Sequence, residues 1–454
     1  MSAVSRPTPL SGFPEWLPAE RIVEQRFLDH LRRTFELWGY TPIQTRAVEP
    51  LEQLLRKGEI DKEVYVLRRL QADAADDSDA GLALHYDLTV PFARYVLEHA
   101  GRLNFPFKRY QIQPAWRGER PQEGRFREFV QADIDVVGAG TLPFHYEAEL
   151  PLVVAEALRG FHLPPVVMQV NNRKVSQGFF RAVGLEDLAG VLRVVDKLDK
   201  IGPARVHEAL VAETGASDAQ ATAVLEFASI RAEDASVADQ VLALGASDPM
   251  LDAGLEELVR VVETARVHAP GLVVADLRIA RGLDYYTGTV YETLAVGHES
   301  IGSICSGGRY DTLATSGSDT YPGVGLSIGV TRLLSRVFSR KLVTASRSVP
   351  TAVLVAVVDE ASRAASDAVA RALRARGIPT EVAPGAEKFG KQIRHADRRG
   401  IPFVWFPGTG ETGDEVKDIR SGEQRPADAG SWAPPTEDLH PLVRSITIDE
   451  EPTP

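Results

Sequence analysis

A chain of 454 residues, 44% hydrophobic and 25% charged, has the balance of a globular protein of roughly two to four domains. A net charge of −12 excludes a generic polycation that coats nucleic acid, although a local basic patch would still serve RNA. One cysteine, Cys305, excludes an intrachain disulfide and a cysteine zinc cluster. The ten histidines are scattered with no HExxH spacing, so no metal held by a protein cluster is expected. No apolar run reaches membrane-spanning length, and MSAVSRPTPLSGFPEW lacks a charged-then-apolar leader pattern. A soluble cytoplasmic protein with no membrane partner is the expectation.

Residues 1–16, rich in Pro and Ser, read as an irregular arm. A long amphipathic helix follows, with Pro18 near its start and Gly39 at its end. Ile22, Val23, Phe27, Leu31 and Phe35 share one face of it. GYTPIQTRAVEP then reads as a short strand. GLALHYDLTVPFARYVLEH alternates and then turns helical. KRYQIQPAWR and REFVQADIDVVG predict two antiparallel strands around a loop rich in Arg, Glu, Pro and Gly. Residues 185–268 are rich in Ala, Leu, Val and Glu at helical spacing, which predicts an inserted helical subdomain. Strand pattern resumes near Val273 and runs through 278–312, and YPGVGLSIGVTRLLSRVF reads as a glycine turn or strand leading into a helix.

Residues 341–350 look like a linker. TAVLVAVV opens a βαβαβ alternation that predicts a separate small α/β domain over 351–430, with a mostly parallel sheet. Residues 431–454, rich in Pro and acids, predict a loose tail.

Several residues could carry chemistry. RGERPQEGRFR holds Arg117, Arg120, Arg125 and Arg127 on the hairpin loop, where guanidinium forks suit phosphate oxygens. The same loop could equally be a solvated hairpin with internal Arg–Glu pairs. GVGLSIGVTRL has GxGxxxG spacing and is not a dinucleotide fingerprint. Its glycines permit close backbone approach, and Arg332 follows on the helix. Asp87 and Asp135 lie on presumed strands. Gln131 is four residues before Asp135 and shares its face, which is either solvated or turned to a ligand. Together the arginines suit a nucleoside triphosphate. The carboxylates, amide and tyrosines suit a cationic amino acid with a hydrogen-bonding ring. The C-terminal α/β domain suits a large partner. Cys305 reads as a small buried residue rather than a nucleophile.

Over about residues 10–427 the sequence resembles the histidyl-tRNA synthetase family of class II aminoacyl-tRNA synthetases. The resemblance is carried by WRGERPQEGRFREFVQ (motif 2), RGLDYYTGTVYE and SGGRYD (histidine pocket), GVGLSIGVTRL (motif 3) and LRARGIPTEV…EKFGKQIRHADRRGIPFVWF (anticodon-binding domain). It implies an α+β class II core over 1–340, an antiparallel sheet flanked by helices, with 185–268 as the helical insertion and 351–430 as the anticodon-binding domain. It implies a homodimer that takes L-histidine, ATP with Mg2+, and tRNA(His). By motif matching, Arg281 and Arg117 are the catalytic arginines at the α-phosphate, and Arg117, Arg125 and Arg332 hold ATP. Asp87, Thr89 and Gln131 hold the histidine α-amino group, with Leu88 in the same site. Asp135 and Tyr286 bond the imidazole, and Tyr285 lines the pocket. Arg120 and Gln122 face the acceptor stem. Lys391 and Arg394 face RNA, in a patch with Lys388, Arg398 and Arg399. Departures from the pattern are Arg46 where motif 1 usually has proline, and Asp87 and Asp135 where many bacterial members have Glu. The alternative is a histidine-sensing paralogue, the regulatory subunit of ATP phosphoribosyltransferase, which lacks the C-terminal domain and usually loses the arginines.

Overall fold

The computed structural model describes residues 7–55, 63–69, 81–159, 163–279, 285–408 and 413–446. They form two compact units, residues 7–14 with 30–336 and residues 15–29 with 337–446.

The larger unit is built on a nine-stranded sheet. Its spatial order is Thr41–Pro42, Phe107–Trp116, Glu128–Val137, Gly323–Gly329, Cys305–Tyr310, Tyr286–Ala295, Val166–Asn172, Val273–Asp276 and Arg231–Ala232. All pairings are antiparallel except two, Thr41–Pro42 with Phe107–Trp116 and Val166–Asn172 with Val273–Asp276. The central hairpin pairs ten residues on each strand, from Phe107 with Val137 to Trp116 with Glu128. Such a long ladder fixes which side chains face together.

Between Val166–Asn172 and Val273–Asp276 the chain is mainly helical. Asn172 caps helix Arg173–Ala182 by accepting from Lys174 N at 2.9 Å. Helix Pro249–His268 lies directly on that helix. A Cβ at Gly178 would sit 2.4 Å from Leu251 N, and one at Gly254 would sit 2.6 Å from Val175 N. The last helix of the 185–268 stretch therefore packs as part of the core. Strand Arg231–Ala232, from the middle of the stretch, closes the sheet edge.

The smaller unit has a five-stranded sheet in the order Thr380–Val382, Val353–Val355, Phe403–Phe406, Glu415–Asp418, Gln424–Pro426. The first two pairings are parallel and the last two antiparallel, so the mostly parallel expectation is corrected to a mixed sheet. The hairpin after Phe406 was not visible in the alternation of the earlier strands. Residues 431–446 are not a loose tail. The Trp432 ring packs edge-on against Phe403 and Trp405 at 5.3 and 5.5 Å. Val443–Ser445 pairs with Val343–Ala345, which lies inside the expected linker. Composition averaged over the segment hid one aromatic anchor. Residues 447–454 lie outside the described residues.

Candidate active site

The site grows from one face of the larger sheet. Strand alternation places Gln131, Asp133 and Asp135 on that face. Across the ladders Asp135 pairs with Arg109 and Gly325, Asp133 with Gln111 and Ser327, and Gln131 with Gln113 and Gly329. A polar stripe thus crosses an otherwise apolar sheet, and it must be satisfied internally or by a ligand.

At one end the groups are acidic. Asp135 is buried, with Arg109 Nη2 at 2.6 Å from its Oδ2 and the Tyr310 hydroxyl donating to its Oδ1 at 2.7 Å. Burial, then the Asp135 charge, pushes the Tyr310 hydroxyl well above its ordinary pKa, so it stays a donor. Glycines make room for this contact. A Cβ at Gly325 would sit 2.1 Å from Asp135 Oδ1, and one at Gly323 would sit 2.5 Å from the Tyr310 ring. The Tyr285 and Tyr286 rings lie 4.3 Å apart, and Tyr286 lies over Gly308. Burial raises the Tyr285 hydroxyl as well.

Asp87 is not on a strand, contrary to the sequence reading. It precedes helix Thr89–His99 and accepts from Val90 N at 3.1 Å. Alternation in GLALHYD ends at Leu84, and the aspartate closes the first helical turn instead. Leu88 is fully buried, and Thr89 begins the helix.

Asp133 is 2% exposed, and burial pushes its carboxyl up to about 7; Asp135 and Asp87 add to the rise, while Arg109 and Ser327 oppose it. The unfolded chain would ionise Asp133 near 3.8, so the folded form holds more protons between these values. Stability from this group is then lost as pH rises from about 4 to 7. An Asp133→Asn variant is expected to lack that loss. Its melting temperature should gain on the wild type between pH 5 and pH 8, which thermal unfolding at the two values checks.

The other end is cationic. A cleft is lined by Arg117, Arg332, Glu119, Phe126, Phe129, Ser303, Ile304 and Cys305, and it shares Gln131 and Ser327 with the acidic stripe. Arg332 donates from Nε to Gly124 O and from Nη1 to Ser303 O, both at 2.6 Å. Arg117 Nε donates to Tyr86 O at 3.1 Å, and its guanidinium lies 5.1 Å from the Phe129 ring centre. Arg125 is exposed and pairs with Glu119 at 3.1 Å. Burial lowers the Arg332 pKa first, and the charges of Arg117 and Arg125 lower it further. Repelling guanidiniums of this kind suit a polyanion.

Arg281 lies outside the described residues, as do Gly282, Leu283 and Asp284. Arg120 and Gln122 are exposed on the hairpin loop, where Gln122 and Arg125 exchange backbone bonds of 3.2 and 2.9 Å. In the smaller unit Lys391 and Arg394 are exposed on helix Phe389–Arg398, and Lys391 pairs with Glu387 at 2.7 Å. Arg399 does not join a free basic patch, because Glu381 holds it at 2.6 and 2.8 Å. Cys305 is buried, and burial pushes its thiol up to about 12, which suits the structural reading.

Sequence reasoning missed Arg109, Asp133, Ser327 and Tyr310 as site residues. Tyr310 stood inside SGGRYD. Asp133 stood between two residues already placed on one face. Arg109 needed the hairpin register, which a count outward from the loop supplies.

The antiparallel sheet, the arginine hairpin and the cleft at the glycine strand define a class II aminoacyl-tRNA synthetase core. The histidyl-tRNA synthetase family model matches residues 12–333, and an anticodon-binding domain model matches residues 352–428. The chain is 60% identical to the histidine–tRNA ligase of Micrococcus luteus, over 97% of this chain and 99% of that protein. It is 59% identical to that of Cutibacterium acnes at the same coverage. The crystal structure of histidyl-tRNA synthetase from Nostoc superposes with a TM-score of 0.83 at 37% identity, covering 94% of this chain and 97% of that one. The chain belongs to the histidyl-tRNA synthetase family. Among the described residues no helix is long and apolar enough to cross a membrane.

Proposed function

We propose that the chain joins L-histidine to ATP at this cleft and then transfers histidine to tRNA(His). In the first step a histidine carboxylate oxygen attacks the α-phosphorus and pyrophosphate leaves. In the second the 3′-terminal ribose hydroxyl attacks the histidyl carbonyl carbon and AMP leaves. The observation that carries this reading is the division of one site into a guanidinium end and a carboxylate–phenol end that share Gln131 and Ser327. The first end fits a triphosphate and the second fits a cationic amino acid.

In this reading Arg117, with Arg281, stabilises charge developing on the α-phosphate. Arg125 and Arg332 hold the remaining phosphates. Asp87, Leu88, Thr89 and Gln131 form the amino-group side. Asp135, with Tyr286, bonds the imidazole, and Tyr310 keeps the Asp135 carboxylate oriented. Tyr285 closes the wall. Magnesium bound with ATP would offset the negative charge of the phosphates, and Glu119, which lines the same cleft and pairs with Arg125, would be the carboxylate able to help hold it. Arg120, Gln122, Lys391 and Arg394 face tRNA. The protein acts in the cytoplasm as a homodimer, which sedimentation of the free chain tests.

ATP–pyrophosphate exchange with each of the twenty amino acids, followed by charging of total tRNA, tests the reaction. Exchange with histidine alone and charging of one acceptor are expected. Histidine binding without exchange would favour the sensor reading. Exchange with another amino acid would overturn the pocket assignment.

A further inference from the structure

We propose that Asp133 is an additional specificity residue of the amino-acid pocket and holds the substrate's primary ammonium group together with the side-chain oxygen of Gln131. The inference rests on the amino-acid pocket reading above and adds to it a residue that reading does not use.

Asp133 is 2% exposed, and its Oδ1 has no hydrogen-bond partner among the described residues. Gln131 Oε1, on the same face two residues away, also has none, while its Nε2 donates to Ser327 Oγ at 2.7 Å. Two buried acceptors therefore wait side by side on one strand, about 7 Å apart along the backbone. A buried carboxylate oxygen without a donor is costly and calls for a cation or donor that arrives later. An alkylammonium carries three donors and can bridge both acceptors.

The charges around Asp133 favour the same ligand. Arg109, on the neighbouring strand, ion-pairs with Asp135 at 2.6 Å and offsets part of the negative charge at Asp133 without closing a hydrogen bond to its Oδ1. Asp135 on the same strand and Asp87 at the helix start add negative charge, and the Tyr285, Ser327 and Cys305 side chains facing it are neutral. The free pocket relieves the crowding by keeping Asp133 partly protonated near neutral pH. Binding of R–NH3+ then converts the Asp133 carboxyl to carboxylate and releases its proton to solvent.

The test uses the full-length protein and three ligands in calorimetry. These are L-histidine, histidinol, which keeps the ammonium, and 3-(imidazol-4-yl)propionate, which lacks it. Asp133→Asn is expected to weaken histidine and histidinol about tenfold to a hundredfold, as for a hydrogen bond to a charged group. The propionate should change less than about twofold on the same scale. At about pH 6.5 histidinol should release more protons on binding the wild type than on binding Asp133→Asn, a difference the propionate should not show, since each ligand's imidazole contributes equally to both proteins. Equal weakening of all three ligands would mean that Asp133 only supports the fold and would overturn the proposal. So would unchanged binding in Asp133→Asn while Asp87→Asn and Asp135→Asn both weaken histidine. If none of the three variants alters histidine binding, the pocket reading itself fails and the proposal with it.

Discussion

An Arg117→Ala variant is expected to lose histidine-dependent ATP–pyrophosphate exchange by roughly 10²–10³-fold, the usual loss when one preorganised donor to a developing charge is removed. The side chain is held in place in the free protein. Its Nε is fixed to Tyr86 O at 3.1 Å, its flat face lies over Phe129, and Arg332 lines the same cleft from the motif-3 helix. The guanidinium is therefore oriented before substrate arrives. The loss should fall mainly on kcat, because the interaction strengthens as charge develops on the phosphate, and less on histidine affinity. Arg117→Lys should recover only part of the rate, since an ammonium restores charge without the planar fork. Exchange kinetics at saturating histidine check both. An Arg117→Ala enzyme with near-normal exchange would remove this residue from the chemistry.

Most of the scaffold was legible because its signals are local. KRYQIQPAWR and REFVQADIDVVG alternate over enough residues to declare strands, and the polar loop between them declares a hairpin. Their register then follows, and with it the Arg109–Asp135 contact. Other features needed tertiary information. The alternation in GLALHYD ran on into Asp87, although Pro91 so soon afterwards suits a helix's first turn better than a strand. Residues 431–446 were misjudged because Pro and acids dominate their composition, while Trp432 alone decides their packing. The sequence reading took the glycines of GVGLSIG as permitting close backbone approach without saying to what. Two of them serve a nearer purpose. Gly323 and Gly325 recur at strand period, so both clear the same sheet face, one for Tyr310 and one for Asp135. Their meaning depends on which residues the neighbouring strands bring opposite, and the motif alone does not contain that.

The Gly325→Ala substitution turns this clearance into a sharp test. Its methyl would lie 2.1 Å from Asp135 Oδ1, 2.4 Å from Asp135 Cγ and 2.8 Å from the Ile134 carbonyl oxygen. None of these can yield easily. The carboxylate is pinned by Arg109 at 2.6 Å and by Tyr310 at 2.7 Å, and the carbonyl belongs to the central ladder. The cheapest relief is to drive the Asp135 side chain off its partners, which leaves a buried guanidinium and a phenol unpaired and misplaces the carboxylate proposed to accept from the imidazole. Overpacking of this sort costs about 1–3 kcal/mol. A displaced pocket carboxylate adds the loss of a charged hydrogen bond to substrate, about 1.5–3 kcal/mol. The first cost falls on folding stability, and the second places the fall in kcat/KM for histidine at about 10- to 10²-fold. The guanidinium end is built from other residues, so the KM for ATP should stay within about threefold, a shift of under 1 kcal/mol. A Gly329→Ala enzyme supplies the contrast. Its added methyl meets nothing closer than Ile304 O at 3.5 Å, an ordinary contact, and it faces the cleft rather than Asp135. Any defect there should therefore appear in the KM for ATP. Steady-state exchange with each substrate varied in turn separates the two patterns. A normal histidine KM in Gly325→Ala would show that Asp135 does not position the substrate.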